Sequence, residues 1–479
     1  MKDYSKYFQV PNLNEARKRT ADPIAVEYSI DPRFLGIGHE KQYLIQTYGC
    51  QANEADSEMI AGIFEQMGFE EAASPEDADI ILLNTCAIRD NAEQRIWGEL
   101  GRLSKLKKAN PDLVLGICGC MTQEEGVVDR LLKKTPYVDL IFGTHNIHKL
   151  PEYIYQSYFE KERVVEVFSM PGTIQEHIPK KRKQTHKAWI HIMYGCDEFC
   201  TYCIVPYTRG KERSREPQDV IQEVEELVAL GYKEVTLLGQ NVNAYGNDLS
   251  IGYTFGHLLF DLDKTGISRI RFTSPHPRDM DDITIRAFAE CDSVMEHLHL
   301  PVQSGSNAVL KRMNRHYTIE HYINVIERLK ALVPDLAVTT DIIVGFPDES
   351  EADFQATLDL YDVIGYDGAF TFIYSKRDGT PAANWADATP ASEKKRRFDR
   401  LVEATKVHAN ANNAAYVGQV VEVLVDGVSR TNDSMLSGYD RHNKLVNFAG
   451  DAMMIGELVH VKITEAKTWF LLGEQLDEQ

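Results

Sequence analysis

Three cysteines stand within eight residues in Cys196-Asp-Glu-Phe-Cys200-Thr-Tyr-Cys203, and thiolates spaced this closely bind metal. A closed zinc site wants four ligands and usually draws on a second Cys or His pair, and none follows nearby. Three thiolates suit a cubane of four irons, with one iron left open to a substrate or cofactor. Three more cysteines, Cys50, Cys86 and Cys120, are spaced 36 and 34 residues apart. Each interval matches one strand-helix repeat. Right-handed crossovers between parallel strands put all carboxyl ends on one edge, so these thiols can converge on a second metal site. Taken singly, each would read as a small buried hydrophobe. Cys118 would face the same way as Cys120 in an extended strand. It sits nearer the strand body, so Cys120 is read as the ligand. Cys291, beside a helix, reads as a core residue.

The elements that must hold these thiols are legible as an α/β chain of three regimes. Residues 1–40 show no sustained periodicity and form an extension. Over 41–158, apolar runs at 43–48, 80–84, 113–117 and 138–142 alternate with helical stretches at 56–67 and 91–108. That order predicts a parallel-sheet domain. Over 182–414, six candidate strands (189–193, 234–238, 270–273, 297–300, 337–343 and 369–373) predict a (β/α)6 partial TIM barrel. Working residues of such a barrel sit at the strand carboxyl ends. Polar words fall there: Gly239-Gln240-Asn241, Ser274-Pro275-His276, Gln303-Ser304-Gly305, and Asp341 ahead of Gly345-Phe346-Pro347. Any one of them alone would pass for turn chemistry; four on one face make a cleft. Residues 416–479 carry short β runs at 420–425, 445–448, 458–463 and 468–472 and predict a small antiparallel barrel.

Composition narrows the classes further. The 479 residues are 43% apolar and 26% charged, which excludes wholesale disorder. No run approaches the roughly 18 apolar residues of a membrane span, and the first residues lack the apolar core of a secretory signal. A cytoplasmic protein is expected. The net charge of −20 argues against diffuse coating of nucleic acid. Between Lys180 and Arg215, however, nine Lys/Arg face three Asp/Glu. By itself that stretch is either a solvated linker or a local basic site.

The word Cys196-x3-Cys200-x2-Cys203, with Tyr202 before the last cysteine, resembles the signature of the radical S-adenosylmethionine (SAM) family. The resemblance implies that SAM binds the open iron and is cleaved by an electron from the reduced cluster to a 5′-deoxyadenosyl radical. With the second cysteine set, the chain from Gln42 onward resembles the methylthiotransferase branch. That implies two 4Fe-4S clusters, the auxiliary one on Cys50, Cys86 and Cys120 carrying the sulfur. One SAM methylates that sulfur, and another supplies the radical that activates the acceptor carbon. The last region resembles the TRAM domain used in RNA recognition.

The branch divides by acceptor: isopentenylated adenosine in tRNA, threonylcarbamoylated adenosine in tRNA, or an aspartate of a ribosomal protein. Asn84-Thr-Cys86-Ala-Ile-Arg89-Asp-Asn-Ala-Glu93 and Cys203-Ile-Val-Pro206-Tyr-Thr-Arg209-Gly210-Lys-Glu-Arg213-Ser-Arg215 are similar to the first group. Its members modify carbon 2 of the adenosine at position 37, beside the anticodon. The resemblance implies as partners the tRNA anticodon stem-loop and an electron donor such as flavodoxin or ferredoxin, with no membrane and a monomeric chain. Gln240, Ser274, Gln303, Arg315 and Asp341 are the candidates for SAM ribose and carboxylate, with Tyr202 near the adenine. Arg209, Lys211, Arg213 and Arg215, following Lys180-Lys-Arg-Lys183, are expected to form a phosphate-binding rim. The region from Tyr416 holds five Lys/Arg against ten Asp/Glu, so any grip on RNA there rests on Arg430, Arg441, Lys444 and Lys462. A non-catalytic iron–sulfur module is the reading from another class; it predicts no SAM cleavage.

Overall fold

Alternating apolar runs and helices over residues 42–166 build one sheet in which every pairing is parallel. The computed structural model describes residues 24–87, 90–124, 126–167 and 173–476, so Arg89 and the first 23 residues of the extension lie outside it. The chain divides into two units. The first comprises the chain up to Lys183 with His191–Arg215 and Lys376–Ala383; the second comprises Gln184–Ile190, Glu216–Ser375 and Asn384–Gln479. The first unit therefore includes the whole Cys196–Cys203 loop, which the expected segment boundaries assign to the barrel.

In the first unit, β1 (Ile24–Glu27), β2 (Gln42–Tyr48), β3 (Glu70–Glu71), β4 (Ile80–Thr85), β5 (Val114–Gly119), β6 (Leu140–Phe142), β7 (Val164–Glu166) and β8 (Thr173–Glu176) follow in turn. The sheet order is β3-β2-β4-β5-β6-β7, and β1 pairs separately with β8. β4 and β5 are buried at every position because helices cover both faces. On one face Met59, Ile63 and Phe64 of helix Gln51–Gln66 pack on Ile80, Leu82, Val114 and Cys118. On the other, Ile96, Leu100 and Leu103 of helix Asp90–Ala109 pack on Ile81, Leu83, Leu115 and Ile117. The strand period of two thus places Cys118 in the core beneath the first helix. β7 lies beyond Tyr158, so the sheet runs past the point where the periodicity suggested an end. Its order reverses between β2 and β4, where adjacent carboxyl ends leave a crevice.

β9 (Lys187–His191) opens the barrel of the second unit. After it, in the first unit, β10 (Met193–Tyr194) pairs antiparallel with β11 (Arg213–Ser214), clasping the cysteine loop at its base. The second unit continues with β12 (Glu234–Leu238), β13 (Arg269–Phe272), β14 (His297–His299), β15 (Ala337–Val344) and β16 (Gly368–Ile373). These form two three-stranded sheets, β9-β12-β13 and β14-β15-β16. A parallel bridge between Ile270 and Val294 joins them into an arc of six. All six match strands legible in the sequence to within three residues at either end.

The same unit ends in a closed barrel of β17 (Val420–Ser429), β18 (Asn432–Asp440), β19 (Leu445–Ala449), β20 (Leu458–Ala466) and β21 (Leu471–Gln475), in the order β17-β18-β19-β21-β20. The expected antiparallel barrel is found in four of its five pairings, and β19 and β21 run parallel. Five strands closing on themselves cannot alternate direction all the way round, so at least one pair must be parallel. β18 is the strand the sequence hid. Its residues, Asn-Asp-Ser-Met-Leu-Ser-Gly-Tyr-Asp, lack β-branched side chains, and it is held by pairing on both edges.

Basic residues of this barrel anchor it to the six-stranded arc. Arg441 forms a bidentate pair with Glu296 at 2.7 and 2.9 Å, and Lys444 reaches Asp367 at 2.6 Å. Two of the four cations expected to grip RNA are therefore structural. Conversely Arg269 of β13, fully buried, donates to the Glu422 carboxylate at 2.8 Å and to the carbonyls of Glu422 and Tyr439 at 3.0 and 2.9 Å. Only the Arg269 end is buried, the Glu422 side chain being 32% exposed, so its loss falls chiefly on the two carbonyls. Arg269→Met should lower the unfolding free energy of the C-terminal barrel by about 2 kcal/mol. Urea unfolding followed by limited proteolysis will read this as release of the C-terminal barrel at lower urea, while the first unit's fragments appear as in wild type.

Candidate functional site

Cys50, Cys86 and Cys120 each follow a strand, β2, β4 and β5, at the edge where the order reverses. Cys50 caps the 16-residue helix Gln51–Gln66, whose free N–H groups favour a thiolate. Two buried amides tie the strand ends together. Asn53 Oδ1 accepts from the Cys50 N–H at 3.3 Å, and Asn53 Nδ2 donates to Asn84 Oδ1 at 3.2 Å. Asn84 Nδ2 returns a bond to the Asn53 carbonyl at 2.8 Å. Gly119 closes the gap between β4 and β5. Its φ is +98°, and a Cβ there would lie 2.4 Å from the Thr85 carbonyl oxygen.

The thiols of this set act on one another. Cys86 hydrogen-bonds to Cys50, and chiefly for that reason the Cys50 thiol titrates well below its ordinary range. Burial pushes Cys120 up to about 11, with the Arg209 guanidinium pulling the other way. Burial raises Cys118 as well, with the negative charge of Asp56 adding to it. Arg209 faces both Cys50 and Cys120, and Arg377 faces Cys86. Among the described residues, no three His, Cys, Asp or Glu side chains close on a single metal ion. Three thiols at neighbouring strand ends, with cations beside them, fit a larger anionic cluster.

The second set rides on the loop clasped by β10 and β11. Gly195 starts it at φ +78°, where a Cβ would lie 2.0 Å from the Lys211 carbonyl oxygen, so only glycine lets the loop cross its own return. The Cys196 N–H donates to the Gly210 carbonyl at 3.1 Å and the Cys203 N–H to the Cys200 carbonyl at 2.9 Å. Phe199 holds φ +46°, uncommon for a large side chain and typical of a site whose geometry is imposed by its surroundings. Cys196 and Cys200 are buried, and Cys203 and Tyr202 are partly exposed. Cys196 titrates high through burial and then through the negative charge of Glu212. One apolar cluster joins Cys120 and Ala87 of the first region to Ile204 and Tyr207, just after Cys203, with Phe199 against it.

In the second unit Gln240, Ser274 and Gln303 lie past the ends of β12, β13 and β14, Asp341 lies within β15, and Arg315 follows the helix Asn307–Arg312. Gln240 and Ser274 follow β12 and β13, whose ends are linked by the Val242 N–H to the Ser274 carbonyl at 3.3 Å. Gln303 and Asp341 are joined through the Gln303 N–H and the Asp341 carbonyl at 2.8 Å. Arg315 donates to the Pro301 carbonyl at 3.2 Å, two residues before Gln303. His276 bridges the two groups: its ring meets Tyr317 at 5.4 Å, and Arg315 adds to the burial that holds it neutral. Ser274 and Gln303 both carry positive φ, +60° and +69°.

The basic stretch is not the exposed rim its charge count suggested. Arg209, Arg213 and Arg215 are buried within the first unit. Arg209 pairs with Asp56 at 2.6 Å and Arg215 with Glu176 at 2.6 Å, while Arg213 donates to the Arg209 carbonyl at 3.3 Å. Lys181, Arg182 and Lys183 pair with Glu65, Glu58 and Glu54. A count along the chain cannot see acids brought up from elsewhere; only Lys211 of the four stays part-exposed. The residues that the sequence reading passed over are Asn53, Asp56 and His191. For Asn53 and Asp56 the one available signal was an amide and an acid at core-facing positions of the helix; His191, at the end of β9, carried none.

Comparison with known proteins fits this arrangement. Residues 42–143 match the uncharacterized protein family UPF0004, residues 190–361 the radical SAM superfamily, and residues 414–476 the TRAM domain. The solved structure of the radical S-adenosylmethionine methyltransferase TsrM from Kitasatospora setae, with cobalamin and a 4Fe-4S cluster bound, is similar in fold. Its TM-score is 0.54 at 13% identity, covering 72% of this chain and 77% of that one. Among curated relatives, the tRNA-2-methylthio-N(6)-dimethylallyladenosine synthase of Geobacillus kaustophilus is 56% identical, over 100% of this chain and 91% of its own. The Bacillus cereus protein of the same name is 54% identical, over 100% and 95%. The chain belongs to the tRNA-2-methylthio-N(6)-dimethylallyladenosine synthase family. No helix among the described residues is long and apolar enough to cross a membrane.

Burial beneath the helix against placement beside Arg209 separates Cys118 from Cys120. Cys120→Ala should remove the iron of the first set, whereas Cys118→Ala should keep it. Iron and sulfide analysis of anaerobically reconstituted protein checks this, and the reverse result would move the ligand to Cys118.

Proposed function

We propose that this chain adds a methylthio group to carbon 2 of N6-dimethylallyladenosine at position 37 of tRNA, with SAM serving as both methyl donor and radical source. The observation that carries the proposal is that both three-thiol sets lie in a single compact unit, where one apolar cluster joins Cys120 to Ile204 and Tyr207 beside the second set. Relatives over half identical along the whole chain, named for that product, support this acceptor over threonylcarbamoyladenosine or a protein aspartate.

Cys196, Cys200 and Cys203 hold one 4Fe-4S cluster and Cys50, Cys86 and Cys120 the other. When bound, the Cys196–Cys203 cluster would supply the electron that cleaves SAM, and the cluster on Cys50, Cys86 and Cys120 would carry the sulfur to be methylated. The chain's own contribution is to hold, orient and shield. Three thiols per set leave one coordination place open. Phe199, Ile204 and Tyr207 pack with Cys120 and Ala87 and would shield that thiol from water. Arg315 suits the SAM carboxylate because its fork binds bidentately. Gln240, Ser274, Gln303 and Asp341 would take the remaining polar groups.

The match to the TRAM domain supports RNA as partner, with exposed Arg430 and Lys462 and part-exposed Lys211 as phosphate contacts. The target base must leave its stack to react, which a single-stranded anticodon loop makes easiest. Reductive cleavage needs a low-potential one-electron donor of flavodoxin or ferredoxin type, and work on tRNA puts the enzyme in the cytoplasm. One chain carries both sets, so the proposal requires a single copy.

Two variants divide the labour. A triple Ala variant at Cys196, Cys200 and Cys203 should form no 5′-deoxyadenosine with dithionite and SAM. A triple Ala variant at Cys50, Cys86 and Cys120, once circular dichroism shows it folded, should keep roughly half the iron. It should still form 5′-deoxyadenosine yet make no methylthioadenosine by mass spectrometry of tRNA nucleosides. Methylthioadenosine from that variant would overturn the proposal.

A further inference from the structure

Arg209 follows the short helix Val205–Thr208 in the loop of the second cysteine set, yet its guanidinium serves the first. Nε donates to Cys120 Sγ at 3.2 Å, and a terminal nitrogen donates to Asp56 Oδ2 at 2.6 Å. Arg209 is 5% exposed and Asp56 2%. The other Asp56 oxygen lies 3.2 Å from His191 Nε2. The Arg209 charge faces Cys50 as well as Cys120. A cation is expensive to bury unless it is paired and hydrogen-bonded, so a chain that needed only a packed loop would place an apolar side chain here. Arg209 instead has one arm on an acid and one on a sulfur.

We infer that Arg209 is a positioning residue for the first cysteine site: held in aim by Asp56, it directs a charged N–H at the Cys120 sulfur and raises the reduction potential of the cluster that sulfur holds. The inference rests on Cys120 being a ligand, as proposed above. One-electron reduction adds negative charge to a cluster and its thiolates. A donor on sulfur and a cation beside it favour the reduced form, as outer-sphere hydrogen bonds do in other iron–sulfur sites. The same arrangement makes the first site sensitive to the second loop, because the tuning group is carried six residues after Cys203.

The test uses the full chain in a background with Cys196, Cys200 and Cys203 changed to Ala, so that only the first cluster is titrated. Redox titration followed by electron paramagnetic resonance compares Arg209 with Arg209→Lys and Arg209→Gln. In Arg209→Gln the reduced-to-oxidised ratio at the parent's midpoint should fall about tenfold, a shift of about 59 mV to more negative potential for one electron. In Arg209→Lys, which keeps the charge but cannot span both partners, the fall should be smaller. A residue that merely packs would lower the cluster content while leaving the potential of the remaining clusters unmoved, and that result overturns the inference. If Arg209→Gln does not fold, Arg209→Lys alone decides: an unchanged potential and resonance overturn it. Cys120→Ala in the same background separates the premise. If the cluster survives that change, the ligand assignment fails first; if it is lost while the Arg209 variants keep the parent potential, only the inference fails.

Discussion

Parallel strands joined by right-handed crossovers must present all their carboxyl ends on one edge, and this molecule uses that constraint twice. In the first unit it brings Cys50, Cys86 and Cys120 together from positions spread over 70 residues. In the second it sets Gln240, Ser274 and Gln303 past the strand ends of the six-stranded arc. Neither collection needs a dedicated scaffold. Local devices then refine each edge: the Asn53–Asn84 amide clasp, the glycine at position 119, and the left-handed Ser274 and Gln303.

Charge is deployed inward. The chain is acidic overall, yet it buries Arg209, Arg213, Arg215, Arg269 and Arg397. Most of these guanidiniums meet a carboxylate carried by a different element, as Arg397 meets Glu349 at 3.0 Å. Such pairs contribute little net stability compared with apolar packing, but they are strongly directional, and several sit at joints between loops, strands and barrels. Arg441 and Lys444 show the same habit at the C-terminal barrel, where cations that could have met phosphate hold the barrel to its neighbour instead. The two cysteine sites differ in consequence. The first has Arg209 and Arg377 beside its thiols, whereas the second has Glu212.

The sequence by itself determined the strand-helix alternation, the six strands of the arc, four of the five strands of the last barrel and the two cysteine sets. These are properties of periodicity and spacing, which survive without knowledge of neighbours. Cys118 is set aside in sequence only by its distance from the strand end; in the sheet it lies in the core with Met59 and Phe64. Other features were decided only when distant segments met. β18 is a strand because β17 and β19 flank it, and its own residues do not ask for one. The cations of 180–215 count as a basic patch along the chain, but Glu54, Asp56, Glu58, Glu65 and Glu176 neutralise them in space. The Cys196 loop reads as part of the barrel, yet it packs with the first unit because Arg209 reaches Asp56 and Cys120. Periodicity is local and can be read residue by residue. Electrostatic pairing and strand pairing belong to two segments at once, so only the tertiary structure could decide them.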